Sequence, residues 1–318
     1  MRHIFPVAAL ILSGSLSSLA AIDNGLLALV PPNANVVGGV DASQARNSEF
    51  GQFILSKTQS DANFEKFVQQ TGFDPRQDLQ NFIFETTGPN GNQPPSSFAI
   101  LARGTFDPAQ IEAAAKANGA VVQSFQGVDL ILGQKGNQQN AVAFLDNSLA
   151  IMGDVASLEQ IIANRGAPTV LDPDFQQQIL TLGSANDAWF VSRVPGSSFL
   201  GTHLGQNIKQ PQGAQALQSI LGSSGGIRFG DTVDVAFDAV TRSSQDAASL
   251  TDVVRFVASM VQMQRNKDPK AGILASTLDN MNLTTNGASV HLALSFPEKN
   301  LEQLAELKPR AAHRRFQQ

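Results

Sequence analysis

Three two-residue turns between short alternating strands constrain the fold of this 318-residue chain more than any other sequence feature. The turns lie at Gln126-Gly127, Asp146-Asn147 and Asn286-Gly287. A two-residue turn can join only antiparallel strands, because parallel strands need a long crossover connection. The sequence therefore predicts antiparallel sheet in both halves of the chain.

The apolar alternation around two of these turns also predicts which side chains lie opposite each other. The turn at 146–147 is expected to place Phe144 opposite Leu149 and Val142 opposite Ile151. The turn at 286–287 gives three expected pairs, which are Leu283 with Val290, Met281 with Leu292, and His291 with Asn282. Both registers put the apolar partners on one face.

Helices with clear caps lie between the strands. Asp107 is a capping residue, Pro108 occupies the first helical position, and Asn118-Gly119 ends this helix. The longest predicted helix begins after Ser243 or Ser244 and continues to about residue 264. Helices of this amphipathic kind cover a sheet rather than stand alone.

The element order suggests two related halves. From residue 36 to the hairpin at 126–127, and again from 188 to 296, the order is strand, helix, strand, strand, helix, strand. We predict an α+β fold of antiparallel sheets with helices on one face, and two βαββαβ (ferredoxin-like) halves are a further hypothesis. The predicted organisation is a signal peptide at 1–20, a first α+β half at 21–185, a second at 186–307, and a basic, flexible tail at 308–318.

The first twenty residues have the composition of a secretory signal peptide. A basic start is followed by an apolar stretch from 4 to 12, and Ser18-Leu19-Ala20 supplies small residues at both recognition positions. A membrane anchor would need about 20 mainly apolar residues. We therefore predict cleavage near Ala20 or Ala21 and no transmembrane segment in the mature chain.

The chain contains no cysteine and no tyrosine. Disulfides, thiol nucleophiles and Cys-ligated zinc are therefore excluded. An exported chain of this size that manages without disulfides fits the bacterial periplasm or extracellular space better than a eukaryotic secreted module.

Charge is distributed unevenly. The whole chain carries −5, but without Arg2 and the four basic residues of the tail it carries 17 basic against 27 acidic residues, or −10. An acidic body opposes nucleic-acid binding, so we expect no nucleic-acid partner. The basic tail at 308–318 is either a solvated end or a contact for anionic envelope polymers.

Several motifs for common chemistries are absent from the sequence. It has no phosphate-binding GxxxxGK[ST], no GxGxxG after a strand and no HExxH. The run 222–226 is rich in glycine but lacks the lysine and the preceding strand of a phosphate loop, so we interpret it as a connector. We expect no cofactor. His203 and His291 are the histidines of the predicted body.

One constellation is compatible with chemistry. Asp234 and Asp238 share a strand face, and His291 lies on the polar face of the last hairpin. If those strands adjoin, the three side chains form a metal site or an acid–base cluster. The alternative is an ordinary solvated sheet face. Trp189 is interpreted as a core aromatic in preference to a sugar-stacking platform.

Several phrases resemble one group of proteins. They are Gly72-Phe73-Asp74-Pro75-Arg76 with Asp78-Leu79, Ala102-Arg103-Gly104-Thr105-Phe106-Asp107, Gln126-Gly127-Val128, and Asp187-Ala188-Trp189-Phe190. Together they resemble uncharacterised secreted proteins of Acidobacteria-like bacteria, a group with no assigned activity. The resemblance spans most of the mature chain and implies export and a shared fold. It transfers no functional residue.

Three functional hypotheses follow. The first is a non-catalytic exported protein that binds an envelope protein or a small ligand on an exposed sheet face or in a groove between the halves. The second is a metal-dependent or hydrolytic enzyme that uses Asp234, Asp238 and His291. The third is a structural envelope component held by the basic tail.

Overall fold

A computed structural model describes residues 22–58, 62–89, 97–135, 138–167, 169–199, 211–267 and 269–306. The predicted signal peptide and the basic tail lie outside these residues. Within them, twelve strands form one antiparallel sheet in the order β11-β12-β10-β9-β8-β1-β2-β3-β7-β6-β5-β4. The strands are β1 Val36–Asp41, β2 Leu79–Thr86, β3 Phe98–Gly104, β4 Val121–Phe125, β5 Val128–Lys135, β6 Gln138–Asp146, β7 Leu149–Asp154, β8 Ala188–Ser192, β9 Ile220–Arg228, β10 Thr232–Thr241, β11 Asn282–Asn286 and β12 Ser289–Pro297.

Twelve α-helices and a 3₁₀ turn at Gly196–Phe199 connect the strands of the described chain. The helices are α1 Asn24–Leu27, α2 Ala42–Asn47, α3 Glu49–Thr58, α4 Ala62–Thr71, α5 Pro75–Asp78, α6 Pro108–Ala117, α7 Val155–Ala163, α8 Pro173–Ala185, α9 Pro211–Ser219, α10 Ser244–Met263, α11 Pro269–Thr277 and α12 Glu298–Glu306. The expected caps are present: the Asp107 carboxylate accepts from Gln110 N–H, and Ser243 Oγ accepts from Asp246 N–H. Among the described residues, no helix combines the length and the apolar character that crossing a bilayer requires.

The strands form two series joined edge to edge. In the first series, β1 pairs with β2, β2 pairs with β3, and β3 also pairs with the later strand β7. The second series repeats this pattern: β8 pairs with β9, β9 pairs with β10, and β10 also pairs with the later strand β12. The series meet where β1 pairs with β8. The predicted α+β class with antiparallel strands is confirmed. Within each series, however, strands that are consecutive in the chain lie side by side, without the interleaved strand order of a ferredoxin-like unit. The division of the chain into two halves between residues 185 and 186 stays a prediction. One continuous sheet runs across that boundary through the pairing of β1 with β8.

The helices that pack on the sheet change face between the two series. In the first series the buried side chains lie on the face that carries Val37, here called the Val37 face, against α1, α7 and α8. In the second series the opposite face, called the Val233 face, is buried beneath α10, α11 and α12. On β9, β10, β12 and β11 the Val37 face therefore carries the polar side chains that alternate with the buried apolar ones.

The first two predicted turns have different outcomes. Gln126-Gly127 is confirmed, with Phe125 paired to Val128. At the second turn, the predicted pairs of Phe144 with Leu149 and Val142 with Ile151 are wrong: Phe144 pairs with Ala150, and Val142 pairs with Met152. The Asp146 carboxylate accepts from Ser148 N–H at 2.6 Å and draws the turn one residue onward, which leaves a bulge before Asp146.

The third predicted turn is displaced by one residue. Asn286 pairs with Ser289, so the turn residues are Gly287 and Ala288. Thr241 donates to the Ala288 carbonyl through both N–H and Oγ1, which holds Ala288 in the turn. The pairs become Leu283 with Leu292 and Thr284 with His291, and the faces stay as predicted because the register shifts by two.

The prediction that 222–226 is a connector is wrong. These residues form the middle of β9, between β8 and β10. Their small size serves close packing: a Cβ on Gly225 would stand 2.9 Å from the Phe190 ring, and one on Gly226 would stand 2.2 Å from Asn186 Cγ. Glycine is thus used where neighbours approach the backbone.

Candidate functional site

The Val37 face of the second strand series presents side chains in rows that run across the strands. Antiparallel register places directly paired residues on one face, and rows two residues apart are about 7 Å from each other. The first row is Arg228, Asp234 and Ser295; the second is Gly226, Ala236, Ala293 and Asn282; the third is Ser224, Asp238, His291 and Thr284.

Asp234 is the acceptor at the centre of the first row. Ser295 Oγ donates to its carboxylate at 2.8 Å, and Thr232 Oγ1 and the Arg228 guanidinium each approach at 3.3 Å. The hydrogen bond from Ser295, supported by Arg228 and Thr232, lowers the pKa of Asp234. The carboxylate is therefore ionised and already partnered.

Asp238 and His291 form the central contact of the third row. His291 Nδ1 lies 2.8 Å from Asp238 Oδ1, and each side chain is slightly over 40% exposed. Thr284 occupies the paired position on the other side of His291. The row thus aligns hydroxyl, imidazole and carboxylate across three strands.

The structure brings together two of the three predicted site residues. Asp234 and Asp238 do share a face, and Asp238 contacts His291. Asp234 lies four residues along the strand from Asp238, about 13 Å away, and bonds to other partners. Among the described residues no three His, Asp or Glu side chains converge as a metal site. The expected pairing of His291 with Asn282 is replaced by Thr284.

A groove of about 320 Å³ lies beside the first and second rows. Small residues form its floor, because Ala236 and Ala293 leave little side chain above the backbone. Its polar lining consists of Arg228, Asp234, Ser295, Asn186, Asn280 and Asn282. Four of these six side chains are neutral amides or hydroxyls. The cation among them, Arg228, already pairs with the Asp234 carboxylate.

Asn186 forms the wall of the groove at the end of α8. Its Nδ2 donates to the Leu182 carbonyl at 2.8 Å, which fixes the amide in place. Asn186 and Asn280 were missed by sequence reasoning, because each lies in a connection two residues before a strand, where strand alternation does not assign its side chain to a face. The usable signal was the coincidence of small residues at 226, 236 and 293 on a single face.

Two other sequence expectations concern single residues. Trp189 lies in the core, 7% exposed, with its indole against Gly39 and Gly183, as expected. His203 lies outside the described residues.

Comparisons with known proteins relate the fold to TP0453, which has been solved in several crystal forms. No protein-family model matches the chain, and no curated protein matches its sequence. TP0453 in crystal form III is similar with a TM-score of 0.52 at 9% identity, over 88% of this chain and 96% of that chain. Crystal form IV of TP0453 gives 0.52 at 11% identity over the same shares. A likeness at this identity shows a shared fold and nothing more.

Proposed function

We propose that this protein is a non-catalytic exported binding protein of the bacterial cell envelope. Its binding surface is the open Val37 face of β9, β10, β12 and β11. The observation that carries the proposal is the groove of about 320 Å³ on a sheet face where hydrogen-bonding side chains surround a floor of small residues.

The groove favours a polar ligand without strong negative charge. Arg228 is already engaged by Asp234, so the lining has no unpaired cation for a phosphate or carboxylate. Three asparagine amides each offer a donor and an acceptor. A neutral or weakly cationic ligand rich in amide or hydroxyl groups meets this surface with the fewest unpaired groups.

The proposal is tested by blocking the groove. Immobilised Ala293→Trp places an indole on the floor, whereas Ser289→Trp adds the same indole on the same strand face outside the lining residues. Wild type and Ser289→Trp are expected to retain the same component of a bacterial envelope extract, and Ala293→Trp is expected to lose it. Equal recovery from all three proteins contradicts the proposed surface.

A hydrolytic enzyme is the second candidate, favoured by the Asp238–His291 hydrogen bond. Asp238 orients the imidazole, and Thr284, paired with His291 on the neighbouring strand, would supply the hydroxyl nucleophile. Hydrolysis of generic ester substrates that is lost in His291→Ala and retained in Asp234→Asn would favour this candidate over the binding protein.

Export and bacterial origin complete the proposal. They are supported by the leader-like composition of 1–20, the absence of cysteine in a chain of this size, and the resemblance to secreted Acidobacteria-like proteins. Association with the envelope through the basic tail is tested by deleting residues 308–318. Release of the protein from cell-wall or membrane fractions supports this association, and unchanged fractionation contradicts it.

A further inference from the structure

Four Asn-Gly pairs occur in the sequence, and one of them closes the last hairpin. In such a pair the backbone nitrogen of the glycine can attack the asparagine side chain, because glycine has no side chain to hinder the approach. The pairs at 24–25, 118–119 and 286–287 lie within the described residues, and the pair at 90–91 lies outside them. The asparagines of the three described pairs are all exposed. Their hydrogen bonds, and not their exposure, therefore distinguish them.

The first two described pairs are held by hydrogen bonds. Gly25 N–H donates to Asp23 Oδ1 at 2.8 Å, at the start of α1. Asn118 Nδ2 donates to the Ala114 carbonyl at 2.7 Å, and Gly119 N–H donates to another carbonyl of α6 at 3.0 Å. Attack on the asparagine amide requires these groups to leave their partners, so both pairs are protected.

The pair Asn286-Gly287 lacks this protection. Asn286 ends β11, and Gly287 is the first residue of the turn. Thr241 holds the other turn residue, Ala288, through the Ala288 carbonyl. Among the described residues, neither the Asn286 side-chain amide nor Gly287 N–H has a hydrogen-bond partner. No hydrogen bond of these two groups therefore has to break before they react.

We propose that Asn286 is a site of spontaneous deamidation, with water as the second reactant. Hydroxide removes the proton of Gly287 N–H, and the nitrogen attacks Asn286 Cγ. The N–Cγ bond forms, the Cγ–Nδ2 bond breaks, and the amide nitrogen leaves as ammonia after taking a proton from water, which returns the hydroxide. Water then opens the cyclic imide: cleavage of its N–Cγ bond gives aspartate, and cleavage of its bond to the backbone carbonyl gives isoaspartate. The net change replaces the side-chain NH₂ by OH, and both products add a negative charge to the tip of the β11–β12 hairpin.

The test compares the three described pairs within one protein. The purified chain is incubated in mildly alkaline buffer, and its tryptic peptides are analysed by tandem mass spectrometry for the gain of about 1 Da that marks the exchange of NH₂ for OH. Trypsin places the three pairs in separate peptides. We expect Asn286 to deamidate at least about tenfold faster than Asn24 or Asn118, because the last two must first lose hydrogen bonds.

The same incubation in concentrated guanidinium chloride separates the effect of the fold from that of the sequence. Unfolding removes the contacts at Asn24 and Asn118, so we expect the three rates to fall within about threefold of one another.

Matched variants assign the mass change to one side chain. Asn282 lies in the same tryptic peptide as Asn286, but a bulky leucine follows it. Asn286→Gln is expected to abolish the fast mass gain in that peptide, whereas Asn282→Gln leaves it unchanged. The comparison of Asn286 with Asn24 and Asn118 is made in the wild-type chain, so it does not depend on the folding of either variant.

Two results would overturn the inference. If Asn286 deamidates no faster than Asn118 in the folded protein, the hairpin protects it. If the tenfold difference persists in guanidinium chloride, the neighbouring sequence and not the fold sets the rates.

Discussion

His291 Nδ1 on β12 lies 2.8 Å from Asp238 Oδ1 on β10, so the two side chains bond across neighbouring strands on the open sheet face. Both side chains are more than 40% exposed. Exposed pairs contribute about 0–1 kcal/mol because water screens the charges. His291→Ala is therefore expected to lower the free energy of unfolding by no more than about 1 kcal/mol, as measured by urea denaturation. A larger loss would contradict the exposed placement of the pair.

The metal content of the purified protein tests the metal-dependent form of the enzyme hypothesis. Because Asp234 bonds to Ser295, Thr232 and Arg228, about 13 Å along the strand from Asp238, only Asp238 and His291 remain as neighbouring ligands. Elemental analysis by mass spectrometry is expected to find less than one bound transition metal per ten chains. Stoichiometric metal that disappears in His291→Ala would overturn the binding-protein proposal.

Glu85 is a carboxyl group buried inside the first strand series. It is fully buried, and neither Oε1 nor Oε2 has a hydrogen-bond partner. Burial, with a smaller contribution from the nearby Asp154 charge, raises the pKa of Glu85 to about 7. The folded protein therefore holds this group neutral at pH values where the unfolded chain ionises it.

This burial predicts a loss of stability as the pH rises. The folded pKa exceeds the unfolded value of about 4.5, so the folded state binds the extra proton between pH 4.5 and 7. The stability of wild type relative to Glu85→Gln should fall by about 3 kcal/mol across that window. Chemical denaturation of both proteins from pH 4.5 to 7.5 measures the difference, and parallel stability curves would contradict the prediction.

The predictable part of the fold was local. Asp107, Pro108 and Asn118-Gly119 cap a helix through contacts within four residues, and the turn at 126–127 needs only its own two residues. The turn at 146–147 was misplaced because Ser148 N–H donates to the Asp146 carboxylate and moves the turn by one residue. The turn at 286–287 was misplaced because Thr241, which is distant in sequence, donates to the Ala288 carbonyl.

The candidate site was predictable only in part for the same reason. Alternation along one strand placed Asp234 and Asp238 on a shared face, and the hairpin added His291. Asn186, the wall of the groove, lies against Gly226, which was interpreted as part of a connector because nothing local shows that Phe190 and Asn186 lie against β9. Side-chain size at positions 226, 236 and 293 becomes informative only once the strand order is known.

Asp23 connects the first helix to the sheet through Arg103, whose Nε donates to Asp23 Oδ2 at 2.8 Å. Asp23 Oδ1 also accepts from Gly25 N–H and Leu26 N–H at the start of α1. Burial opposes ionisation, but the Arg103 hydrogen bond and these N–H groups outweigh it and lower the pKa of Asp23.

Asp23→Ala is therefore expected to destabilise the protein by about 1–3 kcal/mol near neutral pH. Because the folded pKa is depressed, this contribution is present above about pH 4 and declines as the pH falls further. Thermal unfolding at pH 7 and pH 3 measures both effects. Glu112→Ala, which removes an exposed i,i+4 pair with Lys116, is the control and should shift the unfolding temperature much less than Asp23→Ala does.

Gly226 and Asn186 test whether the groove wall depends on close packing. A Cβ on Gly226 would stand 2.2 Å from Asn186 Cγ and 2.4 Å from its Oδ1, which is closer than atoms in contact can approach. Gly226→Ala should therefore displace the Asn186 side chain, break its hydrogen bond to the Leu182 carbonyl, and cost about 1–3 kcal/mol of folding free energy.

Truncation of the neighbour in Asn186→Ala/Gly226→Ala removes the clash, so the double variant should be more stable than the sum of the single variants predicts. A double-mutant cycle by urea denaturation measures this coupling. Additive free energies would show that Asn186 does not lie against β9 and that the groove lacks this wall.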